Sequence, residues 1–117
     1  MSAQDLVGEA KKGLPSISCE DFLAIRDSGE PYTLIDVREE DEWDAGHIEE
    51  AVHIPRGLLE FKVADIVPDK NAPIITQCAS GGRSALCAQT LIKMGYTNVR
   101  NLEGGYTGYC EAVKETV

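Results

Sequence analysis

One stretch constrains this chain more than any other: Pro73-Ile74-Ile75-Thr76-Gln77-Cys78-Ala79-Ser80-Gly81-Gly82-Arg83-Ser84. An apolar, β-branched run stops at a cysteine, a tight loop with two glycines and an arginine follows, and helical periodicity begins at Ala85. The adjacent Ile74 and Ile75 suit a parallel strand buried on both faces. The carboxyl end of such a strand is where open α/β sheets hold ligands. Gly81 and Gly82 permit positive φ, so successive N–H groups can curl into an anion-binding nest. A helix N-terminus adds about half a positive charge, and Arg83 adds a whole one. Each favours thiolate over thiol, which predicts a nucleophilic Cys78 with a lowered pKa. The competing local reading is a buried structural cysteine beside a turn.

The rest of the chain narrows the setting. Its 117 residues predict one domain with a core large enough to need no disulfide or metal. A formal charge of −9 argues against nucleic acid or an anionic membrane as a partner. No apolar run approaches the length of a membrane span. Met1 to Lys12 lacks the apolar core of a signal peptide, being interrupted by Asp5 and Glu9, so a cytoplasmic protein is expected. The four cysteines, Cys19, Cys78, Cys87 and Cys110, form no C-x-x-C pair and have no histidine nearby in sequence. Neither a zinc site nor a disulfide scaffold is expected, and no cofactor is called for.

In chain order, Ala3 to Lys11 predicts a short helix in an N-terminal extension (residues 1–14), ahead of a single domain over residues 15–117. A strand at Ser16 to Ser18 leads to a helix capped by Ser18 with Asp21 three positions on. Tyr32 to Val37 reads as a buried strand ending in Asp36-Val37-Arg38. Asp36 and Arg38 either tie loops together at the sheet's end or contribute to the rim of the Cys78 site. Seven carboxylates among the twelve residues from Glu39 to Glu50 lack calcium-loop spacing and predict a solvated helix over Glu40 to Ala45, anchored by Trp43. His47 is expected to be structural. Ala51 to Ile54 predicts a short strand, Gly57 to Val67 one or two short helices, Ala85 to Met94 a helix, Asn98 to Leu102 the last strand, and Tyr106 to Val117 a final helix. Cys87 is expected to pack within its helix, with a resolving role toward Cys78 as the alternative. Strands alternating with helices at this spacing imply an α/β domain with a mainly parallel sheet and helices on both faces.

Four segments, taken in order, resemble the rhodanese family. They are Leu34-Ile35-Asp36-Val37-Arg38; Gly46-His47-Ile48 with Ala51 and Ile54-Pro55; Cys78-Ala79-Ser80-Gly81-Gly82-Arg83-Ser84; and Leu102-Glu103-Gly104-Gly105. The resemblance runs from about Ile17 to Cys110. It implies a five-stranded, mainly parallel sheet flanked by helices, and sulfurtransfer in which Cys78 cycles between thiolate and persulfide. It further implies a small anionic sulfur donor such as thiosulfate, cyanide or a thiol as acceptor, and a possible protein donor or acceptor. Ala79, Ser80, Gly81, Gly82, Arg83 and Ser84 would bind the donor, with Asp36 and Arg38 nearby. Two departures touch only the periphery: Glu49-Glu50 stands where the family has a small residue or proline followed by glycine, and Tyr109 where it often has tryptophan. The loop matches neither the strongly basic type associated with thiosulfate nor the type associated with mercaptopyruvate, so the donor stays open.

Three rivals share this fold. A phosphatase or arsenate reductase of the dual-specificity type would resemble His-Cys-x5-Arg; here Cys78 to Arg83 is Cys-x4-Arg and Gln77 replaces the histidine. A non-catalytic binding module commonly lacks the cysteine. A persulfide carrier would receive its sulfur from a protein, with the acidic Glu39 to Glu50 face meeting a basic partner.

Overall fold

The computed structural model describes residues 1–116. Five strands form one sheet in the order β1-β5-β4-β2-β3: β1 (Ser16–Ile17), β2 (Thr33–Asp36), β3 (Val52–His53), β4 (Ile74–Gln77) and β5 (Val99–Leu102). Every pairing is parallel. The expected sheet is therefore present without an antiparallel member. All strands share a direction, so their carboxyl ends lie at one edge. Val37 N–H donates to Gln77 O and Ile54 N–H to Asp36 O just past those ends.

The apolar pairs in the sequence divide between the two faces. Ile35, Ile74 and Val99 join Leu59 and Val63 of α4 (Leu59–Ile66) and Ala88 and Leu91 of α5 (Gly82–Lys93). Leu34, Ile75 and Leu102 pack against Phe22 and Leu23 of α2 (Cys19–Ser28) and Ala112 of α6 (Gly105–Thr116). Consecutive strand residues point to opposite faces, so a central strand buried on both sides must be apolar at successive positions. Helix α3 (Glu40–Ala45) is the short acidic helix expected, and a 3-10 turn at Arg56–Leu58 precedes α4. Among the described residues no helix is long and apolar enough to cross a membrane.

Local chemistry accounts for most helix ends. Ser2 and Asp5 form a reciprocal capping box on α1 (Ala3–Lys11). Ser18 Oγ accepts from Asp21 N–H at 3.0 Å to start α2, and Gly29 ends that helix in the left-handed region. Helix α5 begins at Gly82, three residues before the expected Ala85, so Arg83 and Ser84 belong to its first turn. Gly81 O accepts the Ala85 N–H at 3.2 Å, so the helical hydrogen bonding already begins with Gly81 as N-cap. Gly82 faces Val7 of α1 at ordinary contact distance. The last predicted helix residue, Val117, lies outside the described residues.

Candidate active site

Strand β4 delivers Cys78 to the carboxyl edge of the sheet, where the residue is 1% exposed. Gly81, at φ +106°, turns the chain so that its N–H donates to Cys78 Sγ at 3.1 Å. Ser84 Oγ reaches the same sulfur at 3.4 Å from the first turn of α5. Burial pushes the Cys78 thiol up, but hydrogen bonds from the Ser84 hydroxyl and from the N–H groups of Ser84, Gly81 and Ser80 outweigh it and hold the pKa below its ordinary value. The adjoining helix N-terminus acts in the same direction. The loop is a cradle of donors converging on one sulfur.

A buried polar network fixes that cradle to the sheet. The Ser84 hydroxyl proton is shared between Cys78 Sγ and Asn101 Oδ1, the latter at 2.6 Å. Asn101 Nδ2 donates to Gly81 O at 3.2 Å, and Thr76 Oγ1 donates to Ser84 O at 3.0 Å. Neighbouring strands β4 and β5 thus hold both ends of the turn. On the other side, Tyr106 N–H donates to Cys78 O at 2.8 Å and Thr107 N–H to Ala79 O at 3.1 Å. The sequence does not mark Asn101 as a site residue, and it marks Gly105 only as part of the Leu102 to Gly105 segment. A polar side chain inside a strand and a second consecutive glycine were the available signals.

The remaining predicted site residues fall into two ion pairs. Arg38 is 4% exposed and grips Asp36 with Nη2 to Oδ2 at 2.8 Å, while also donating to Gly46 O at 2.8 Å. Its guanidinium lies 4.5 Å from the centre of the Tyr106 ring. These bonds tie the loop after β2 to Gly46, as the first of the two expected readings describes. Arg83 forms a fork-to-fork pair with Glu42 of α3, at 2.7 Å (Nη1 to Oε1) and 2.9 Å (Nη2 to Oε2). The Arg83 hydrogen bonds hold the Glu42 carboxyl at about 2. Arg83 stands in the first turn of α5, five residues after Cys78, and the Cys78 sulfur adds to Glu42 in keeping its guanidinium protonated. Glu42 had been read only as one of a run of solvated carboxylates. Ala79 is half-buried and Ser80 exposed at the loop's outer turn.

The other cysteines and both histidines have structural surroundings. Cys87 is 2% exposed in the core, and burial pushes its thiol up to about 12. Cys19 Sγ donates to Glu103 O at 3.2 Å. His47 and His53 each stack on the Trp43 ring with near-parallel planes, and their nitrogens meet Trp43 O and Arg38 O. A groove of about 390 Å³ lined by Cys19, Glu20, Glu103, Glu111 and Glu115 lies apart from Cys78, and its carboxylates make it unsuited to an anion.

Fold and site together define a class: a parallel α/β domain presenting an activated cysteine in an anion-type cradle at the carboxyl edge of its sheet. The family model for the rhodanese-like domain matches residues 18–112, and the chain belongs to that family. Helix α1 lies ahead of the matched region. A stretch of 106 residues is 37% identical to YrkF of Bacillus subtilis, a protein named for sulfur carriage, covering 88% of this chain and 56% of YrkF. The chain therefore spans little more than half of that relative. The thiosulfate sulfurtransferase PspE of Escherichia coli is 36% identical over 70 residues, 60% of this chain and 67% of PspE. The fold is similar to that of RPA3614 from Rhodopseudomonas palustris, titled a possible tyrosine phosphatase of unknown function. There the TM-score is 0.89 at 27% identity, covering 97% of this chain and 92% of that one.

Proposed function

We propose that this protein is a sulfurtransferase in which Cys78 carries sulfane sulfur as a persulfide, taking it from a donor such as thiosulfate and passing it to a nucleophilic acceptor, cyanide or a thiol. The observation that carries this reading is the convergence of the Gly81 N–H and the Ser84 hydroxyl on Cys78 Sγ. Donors aimed at a sulfur rather than at a ring of oxygens suit an anion one atom larger than the thiolate. The Cys78 thiolate attacks the outer sulfur of thiosulfate, the S–S bond breaks, and sulfite departs with the bonding pair. The cradle then stabilises the charge on Cys78–S–S⁻ without reorganising. An acceptor nucleophile attacks that outer sulfur and restores the Cys78 thiolate. Covalent catalysis divides one transfer into two easier displacements. No general base is required, because the cradle itself favours the ionised sulfur.

Arg83 and the loop from Ala79 to Ser84 bind the donor in this reading, and Asp36 and Arg38 hold the neighbouring wall in position. A protein persulfide carrier is the second reading, favoured by the Glu42 carboxylate already seated on Arg83. Cleavage of a phosphate ester is disfavoured by the four residues between Cys78 and Arg83, one fewer than in the phosphate-encircling loop of the cysteine phosphatases.

Incubation with thiosulfate followed by mass spectrometry of the Cys78 peptide, then addition of cyanide and assay of thiocyanate, tests the reading. Added sulfur on Cys78, discharged by cyanide and absent in Cys78→Ser, is the expected result. A Cys78 that accepts sulfur from neither thiosulfate, mercaptopyruvate nor a cysteine-desulfurase donor leaves a binding module. Robust aryl phosphate hydrolysis lost in Cys78→Ser overturns the reading in favour of a phosphatase.

A further inference from the structure

Arg83 is the cation this loop holds out to an anionic donor, yet both of its terminal nitrogens are already engaged by Glu42, at 2.7 and 2.9 Å. A carboxylate held fork-to-fork occupies the same planar donor set that two oxygens of a sulfonate-type anion would use. Glu42 is anchored from behind as well. Its Oε1 accepts the Glu39 N–H at 3.0 Å, which closes the capping box of α3. The pair is open to solvent on both sides, with the Arg83 and Glu42 side chains 36% and 30% exposed, so an incoming donor meets both charges. Of the other cations near this edge, Arg38 is buried and held by Asp36, and Lys11, whose Nζ lies beside Gly81, is paired with Glu103 at 3.8 Å. Cys78 as thiolate, Arg83 and Glu42 together sum to one negative charge at the mouth, where an unpaired Arg83 would leave none.

Resting on the sulfurtransferase reading, we infer that Glu42 is a specificity-determining residue. It competes with small dianionic donors for Arg83 and biases Cys78 toward an organic persulfide, which carries no oxyanion group and reacts through its protonated form, R–S–SH. With that donor the Cys78 thiolate attacks the terminal sulfur, the donor S–S bond breaks, and R–S⁻ leaves with the bonding pair. The product Cys78–S–SH keeps the donor's proton and can lose it to water. No oxyanion has to be seated, so the occupied Arg83 is no handicap. Thiosulfate must instead displace Glu42 or bind beside a like charge.

Glu42→Gln tests this, since the amide keeps the shape and an oxygen toward Arg83 while removing the charge; a cooperative thermal transition above the assay temperature establishes that it is folded, and Glu42→Ala provides a second variant. The first readout needs no sulfur transfer: the rate of Cys78 alkylation by iodoacetate divided by that by iodoacetamide, followed on the Cys78 peptide. The thiolate fraction cancels in this ratio, so it reports local charge alone. Removing Glu42's charge raises the ratio about fivefold or more, as expected for a like charge within a few ångströms of the reagent's carboxylate. The second readout compares donors. The KM for thiosulfate falls about tenfold in Glu42→Gln, the scale of one charge-assisted contact, whereas the KM for 2-hydroxyethyl persulfide moves by a much smaller factor. An unchanged alkylation ratio, or a thiosulfate KM that rises in both variants, overturns the inference and leaves Glu42 as a brace for Arg83. Wild-type Cys78 taking sulfur from neither donor overturns the parent reading, and the donor preference with it.

Discussion

Gly105 packs directly on the backbone of Cys78. A Cβ on Gly105 would collide with the Cys78 carbonyl oxygen and stand 2.7 Å from both the carbonyl carbon and oxygen of Ala79. The next residue, Tyr106, donates its N–H to that same Cys78 oxygen at 2.8 Å. The start of α6 is thus the floor on which the cysteine loop rests. Gly105→Ala combines a backbone clash with a side chain at φ +57°. Adding about 1 kcal/mol for the left-handed conformation to about 1–3 for overpacking predicts a loss of roughly 2–4 kcal/mol in chemical denaturation. Because the clash bears on the loop, the Cys78 alkylation rate falls as well.

Ser84→Ala removes a donor to Cys78 Sγ and leaves Asn101 Oδ1 without its 2.6 Å partner. The folded-state pKa of Cys78 lies below its ordinary 9.0, so the thiolate persists as pH falls until that lowered value is crossed. Losing a bond that favours the thiolate moves the inflection of the alkylation-rate profile upward. Stability falls by about 1–3 kcal/mol from the orphaned acceptor. A profile that does not move would show that the hydroxyl serves Asn101 only.

Arg38→Ala distinguishes a scaffold from a donor-binding role. It strands the fully buried Asp36 and frees Gly46 O, and breaking a buried pair from one side costs about 3–5 kcal/mol. Denaturation measures that loss. Adding thiosulfate to the folded fraction should give a KM close to wild type.

Arg83→Ala raises the KM for thiosulfate by about ten- to a hundredfold, the equivalent of roughly 1.5–3 kcal/mol for a charge-assisted contact. It also exposes Cys78 to an uncompensated Glu42. The double variant with Glu42→Gln therefore recovers part of the loss, and steady-state kinetics on the four proteins give the coupling.

Cys87→Ala leaves sulfur transfer within about twofold of wild type and costs about 1 kcal/mol of stability, as for a modest core truncation. The buried thiol, held up at about 12, stays protonated at neutral pH, which disfavours a resolving role. Mass spectrometry after mild oxidation should find no Cys78–Cys87 disulfide in wild type.

Much of this protein is local and so was readable in the chain. Ile74 to Cys78 specify a strand buried on both faces. Gly81 supplies the positive φ, and the loop and helix start behind it supply the donors that converge on Cys78 Sγ. Helices α1 and α3 have the predicted bounds because their caps and their stop signals lie within a few residues. What the tertiary structure decided are the relations between distant segments. Arg83 meets Glu42 across 41 residues of sequence, and Gly105 meets Cys78 only because β5 lies beside β4. Backbone preference and burial pattern are properties of neighbouring residues. The partner that neutralises a charge, or the surface that requires a glycine, is set by which elements the sheet order brings together. The reactive sulfur is thus a property of the sequence, while the charge a donor meets on approaching it is a property of the fold.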